Sequence, residues 1–164
     1  MTLAEAAAEA DGLAQAGSER ELAQLRSQWG DELEAAVRSS DYRERAVAYR
    51  AIGQFRFRQK LELLRRGLED DSPACRGSAL ISLELLSRDH PGAVNADRPL
   101  LHTIVSDREE NGAVRRLAIV CLKNGSPQRE TIVILEGVAA DDEEDRELRA
   151  AAKRVAELLK KKGR

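Results

Sequence analysis

Apolar residues recur along this chain at steps of three and four, the spacing that keeps one face of a helix buried. Four such stripes stand out: Leu33/Ala36/Val37, Leu61/Leu64/Leu68, Leu101/Ile104/Val105 and Ile132/Leu135/Val138. An acidic stretch follows each, ending at Asp41, spanning Asp70–Pro73, and opening at Asp107 and Asp141. A second pattern then begins, an arginine with small or apolar residues three and seven positions later. It reads Arg45–Ala48–Ile52, Arg76–Ala79–Leu83, Arg115–Ala118–Leu122 and Arg149–Ala152–Ala156, at successive offsets of 31, 39 and 34 residues. The pattern predicts a repeated unit of helix, acidic turn and helix. One such hairpin cannot bury its own apolar face, so the hairpins must stack.

The acidic residue that ends each turn is expected to cap the second helix, at its positive end. The arginine that follows is placed to reach back to that carboxylate and tie one repeat to the next, and alanine lets helices approach closely. Ahead of the first stripe, residues 2–16 and 18–29 read as two further helices, with Gly17 as a stop and Ser18 as an N-cap. The last helix is expected over Arg146–Lys162. Two stretches break the regularity: Arg88–Pro99 (RDHPGAVNADRP) reads as a long loop because of its two prolines, and the turn over Asp107–Ala113 reads as longer than its counterparts. Both are taken as tolerated insertions.

Leu61–Leu86 (LELLRRGLEDDSPACRGSALISLELL) and Ala113–Leu122 (AVRRLAIVCL) resemble the HEAT-repeat family, whose unit pairs an L-x-x-L-L-x-x-D helix with a V-R-x-x-A-x-x-A-L helix. The resemblance implies an all-α fold, a right-handed α-solenoid of about four helix hairpins with N-terminal capping helices. It implies one domain over 1–164, with a cap over 1–30 and repeats over 31–57, 58–88, 98–125 and 127–162. In such arrays the second helix of each repeat lines the concave surface. Five residues after each repeat arginine lie Arg50, Ile81, Val120 and Arg154, with Glu84, Arg116, Lys123 and Glu157 on the same rough face. Apolar anchors rimmed by arginine suit a protein-binding surface. Periodicity alone leaves Ile81 and Val120 either exposed on this face or buried between helices.

Composition narrows the chemistry. The 164 residues hold 27 Lys+Arg against 29 Asp+Glu, a net charge of −2 that argues against a nucleic-acid binder held by bulk electrostatics. No apolar run approaches the ~18–20 residues of a membrane span, so a cytoplasmic protein with no membrane partner is expected. Cys75 and Cys121, far apart and without Cys or His partners, fit neither a disulfide framework nor a zinc site and read as core residues. His90 and His102 have no nucleophile to serve, with His102 read as a partly buried helical residue. No glycine-rich phosphate loop is present. No catalytic residue, cofactor-binding residue or metal ligand is assigned, and no enzyme activity is expected.

Charge is unevenly placed, at −6 over residues 1–41, +5 over 42–60 and +6 over 146–164. The 42–60 segment interleaves arginine with Tyr42, Tyr49, Phe55 and Phe57, a mixture that suits base stacking and phosphate contact. Core positions for Tyr49 and Phe55, with the arginines solvating the outer face, are the favoured reading. The leading expectation is an interaction or scaffold module whose partner protein lies along the concave face, anchored on Ile81 and Val120 with acidic groups on Arg50 and Arg154. Repeat style also resembles the bilin lyase branch of HEAT proteins, which would imply a chromophore chaperone. A third branch, HEAT-like nucleic-acid enzymes, fits less well with the net charge and the single Trp29. The complementary chain ends leave room for a homodimer through an end repeat.

Overall fold

Where the sequence marks a turn with Asp or Asn, a helix starts. Asp41 accepts from the Arg43 amide at 2.9 Å, Asn111 from Ala113 and Val114, and Asp145 from Glu147 and Leu148, each satisfying donors that a first turn leaves open. The computed structural model describes residues 1–164 and is all-α, a helical repeat with no strands. It divides into two compact units, Met1–Leu86 and Ser87–Arg164.

The first unit opens with α1 (Leu3–Gln15) and α2 (Glu19–Ala36), followed by α3 (Tyr42–Gln54). One 3-10 turn (Arg58–Lys60) leads into α4 (Leu61–Leu68) and then α5 (Pro73–Ser87). Gly17 adopts φ +75° and closes α1, with the Ser18 amide bonded to the Leu13 carbonyl at 2.9 Å. Ser18 precedes α2 without the expected side-chain cap bond. α2 runs unbroken through Gly30, so the helix expected over 18–29 and the Leu33 stripe are one element, and α1 alone precedes the first hairpin. A single internal glycine weakens a helix by about 1 kcal/mol relative to alanine, too little to end one that packs on both α1 and α3.

The second unit holds α6 (Pro91–Ser106), α7 (Gly112–Leu122), α8 (Arg129–Ala140) and α9 (Arg146–Lys162). Here the loop expected over Arg88–Pro99 is corrected: α6 begins at Pro91. Proline is favoured at a first helical position, where no amide is needed, and Pro99 lies on the exposed face, where the carbonyl one turn back can tilt toward water. The third turn is corrected as well. It spans 107–111, the same length as 141–145 in the fourth.

The alanines of the repeat pattern, Ala48, Ala79, Ala118 and Ala152, are all buried completely. Two contacts show how tight the first unit is. The Ser82 hydroxyl of α5 enters the backbone ladder of α3, accepting from the Gly53 amide at 3.0 Å and donating to the Tyr49 carbonyl at 2.6 Å. A Cβ at Gly67 of α4 would fall 2.7 Å from the Ala79 Cβ.

The repeat arginines do more than reach back. Arg45 donates to the Ser39 carbonyl of its own turn and, through Nε and Nη2, to both carboxylate oxygens of Asp70 in the next turn, at 2.9 and 3.1 Å. Arg115 repeats this in the second unit, bonding the Val105 carbonyl behind it and both oxygens of Glu144 ahead. Arg76 holds the Asp70 carbonyl of its own turn, and Arg149 the Ala139 carbonyl and Asp142. The expectation of a backward carboxylate pair is therefore corrected for Arg45 and Arg115: carbonyls take the backward bonds, and the carboxylate comes from the following hairpin. A planar guanidinium with five donors can serve both at once.

Candidate functional site

Groups with catalytic potential lie in structural settings. The Cys75 thiol is buried, donates to the Tyr42 carbonyl and has its pKa pushed up by that burial. His102 on α6 is buried, as expected, with Nε2 2.8 Å from Thr131 Oγ1 of α8. Burial pushes its imidazole below the ordinary pKa; Glu130 opposes this and Arg98 adds a smaller push downward. A histidine whose folded pKa is lowered contributes stability above its unfolded value of about 6.5, and that contribution is lost as pH falls through the lowered one. The thermal midpoint is therefore expected to fall with pH just below about 6.5. In His102→Gln that slope should disappear, and a midpoint series from pH 7.5 to 5 checks it.

In the 42–60 segment, Tyr49, Phe55 and Phe57 are buried, and only Tyr42 is exposed. The basic side chains do more than solvate an outer face. Arg45 pairs with Asp70, Arg56 with Asp11 at 2.8 Å, and Lys60 with Glu34 at 2.6 Å. Burial opposes ionisation of Asp70, yet the Arg45 guanidinium and the Ser72 amide hold its carboxyl below the usual range. A cleft of about 720 Å³ opens beside this pair, lined by Arg38, Arg65 and Arg66 together with Glu62 and Glu69. Its charges alternate in sign, so it favours neither an anion nor a cation.

The second helices carry the residues that periodicity singled out. In the first unit, Arg50 on α3 and Ile81 on α5 come together: the Ser82 hydroxyl, next to Ile81, lies 3.0 Å from the Arg50 carbonyl. Ile81 is 37% exposed, and Glu84 is half-buried one turn further on. Arg50 is half-buried, and its Nη1, shielded from solvent, has no hydrogen-bond acceptor. In the second unit, Arg116 on α7 is exposed and donates to Glu147 of α9 at 2.6 Å. Val120 and Lys123 are half-buried on the same helix, and Arg154 is exposed on α9.

On the second helices, two exposed apolar residues escaped the sequence reading. Val47 lies one turn before Arg50, and Leu158, 42% exposed, one turn after Arg154. Their signal was the four-residue step from Arg154 to Leu158 and the three-residue step from Val47 to Arg50, which set each on the face already chosen.

No helix is long and apolar enough to cross a membrane. No group of three or more His, Cys, Asp or Glu side chains is placed to hold a metal ion. A family model described as HEAT repeats matches residues 30–96. No curated protein and no solved structure matches the chain.

Proposed function

The chain is a HEAT-repeat protein, and from that premise we propose that it is a non-catalytic interaction module that binds another protein on the exposed faces of its second helices. HEAT repeats generally serve protein–protein interaction or scaffolding. The observation that carries the reading is Ile81. In a repeat whose neighbouring positions Leu80, Ser82 and Leu83 are fully buried, it stands exposed next to Ser82, whose hydroxyl reaches the backbone of Arg50, a cation whose inner nitrogen lacks an acceptor. Arg50, Ile81 and Glu84 are the contact residues in the first unit; Arg116, Val120, Lys123 and Arg154 are those in the second. A rigid repeat supplies such faces without ordering cost at the moment of binding.

The test is affinity capture from the native host's lysate with wild type beside Arg50→Glu/Arg154→Glu, the two matched by circular dichroism. A partner held by wild type and lost by the variant is the expected result. A partner held equally by both would remove these faces from the site.

A further inference from the structure

Resting on that reading, we propose that the strip shared by α7 and α9 takes an acidic amphipathic segment of the partner protein, its carboxylates on Arg154 and Lys161 and its apolar side chains on Val120 and Leu158. Two rows define the strip. On α7, Arg116, Val120 and Lys123 follow at steps of four and three; on α9, Arg154, Leu158 and Lys161 do the same. The two helices pack together, Val120 and Arg154 hold the same repeat position, and the row on α9 continues about one turn beyond that on α7. At one end Arg116 donates to Glu147, and at the other the Lys162 ammonium donates to the Lys123 carbonyl.

The first cross-link neutralises its end of the strip. Toward the other end α9 carries Arg154, Lys161 and Lys162, all exposed, on the turns that flank Leu158. Neither Arg154 nor Lys161 forms an ion pair within the chain. The remaining acid of α9, Glu157, lies one turn from both Arg154 and Lys161 and about 100° round from Leu158, one carboxylate against the three cations Arg154, Lys161 and Lys162. The strip is thus apolar at its floor and positive at its rim, the complement of a helix or extended segment that alternates carboxylates with leucine-like side chains. A basic segment would meet like charge.

The probe is a fluorescein-labelled helical peptide of Glu, Ala and Leu, with a counterpart carrying Lys for each Glu, titrated with the full chain and read by anisotropy. The acidic peptide is expected to bind and to weaken as salt rises. Arg154→Glu and Leu158→Asp, both at exposed positions, should each weaken it by at least about tenfold. Lys153→Glu makes the same charge change off the strip and should alter binding by less than about twofold. Failure of the acidic peptide to bind, or equal binding by all variants, overturns the proposal. Binding of the basic peptide that Leu158→Asp abolishes would overturn the acidic assignment alone, since the interaction reading is decided by the capture experiment.

Discussion

Replacing Arg115 with leucine is expected to destabilise the second unit by about 3 kcal/mol, at the lower end of the range for breaking a buried ion pair because the turn around Glu144 borders water. The Arg115 and Glu144 side chains are only 6% and 9% exposed. The substitution removes the fork that holds the Val105 carbonyl and both carboxylate oxygens, leaving a shielded charge with only the exposed Arg108, 4.0 Å away, to face it. Arg115→Leu/Glu144→Leu should recover part of the loss, since the carboxylate goes with its partner and only the Val105 carbonyl loses its guanidinium. Arg149→Leu is the contrast. Its carboxylate, Asp142, is 95% exposed, and the change should stay below about 1 kcal/mol. Urea unfolding midpoints at constant slope measure all three. A loss for Arg115→Leu no larger than that for Arg149→Leu would show that the pair is not a structural tie. The Arg115 guanidinium also holds the Glu144 carboxyl below the usual range against the opposing effect of burial. The pair's contribution is therefore present above the ordinary glutamate pKa and is lost as pH falls through the lowered one, so wild type and Arg115→Leu should converge in acid.

Gly53→Ala is expected to be the second severe substitution, at about 1–3 kcal/mol or more. An added Cβ would fall 2.7 Å from the Ser82 Oγ and 2.9 Å from the Ser82 Cα. The hydroxyl could rotate away, but the backbone of α5 could not, so the two helices must separate. Separation would also break the bonds that Ser82 makes to the Gly53 amide and the Tyr49 carbonyl. Gly12→Ala in α1 carries the opposite expectation. Nothing lies within 4 Å of its added Cβ, and alanine in a helix should stabilise by about 0.5–1 kcal/mol. Thermal or urea midpoints of the two variants should move in opposite directions. A neutral Gly53→Ala would mean that α3 and α5 do not approach as closely as their hydrogen bonds indicate.

Much of the fold was legible because the repeat places the same chemistry at the same step. Ala48, Ala79, Ala118 and Ala152 were chosen by spacing alone and are all fully buried. What escaped has identifiable physical causes. The first half of α6 was hidden because Asp97, a buried polar residue, interrupts the stripe that runs from Val94 to Leu101, and because two nearby prolines resemble a loop. The direction of the arginine bonds depends on which carboxylate stacking brings within reach, and a spacing pattern carries no such distance. The candidate site was half legible. Its helices and faces follow from periodicity, but Ile81 is exposed and Val120 half-buried at the same repeat position, and that difference depends on the neighbouring side chains.

The forward-reaching arginine also bears on how such a chain can grow. In each unit one hairpin's arginine gives to the acidic turn of the hairpin after it, Arg45 to Asp70 and Arg115 to Glu144. A gene duplication copying α8 and α9 as a block would deliver a second Glu144 within reach of Arg149, which now bonds only its own turn. The arginine–acid pair itself would need no new residue, because both halves of that connection travel in the copied segment. The forward tie is thus a connection that a copied hairpin carries with it.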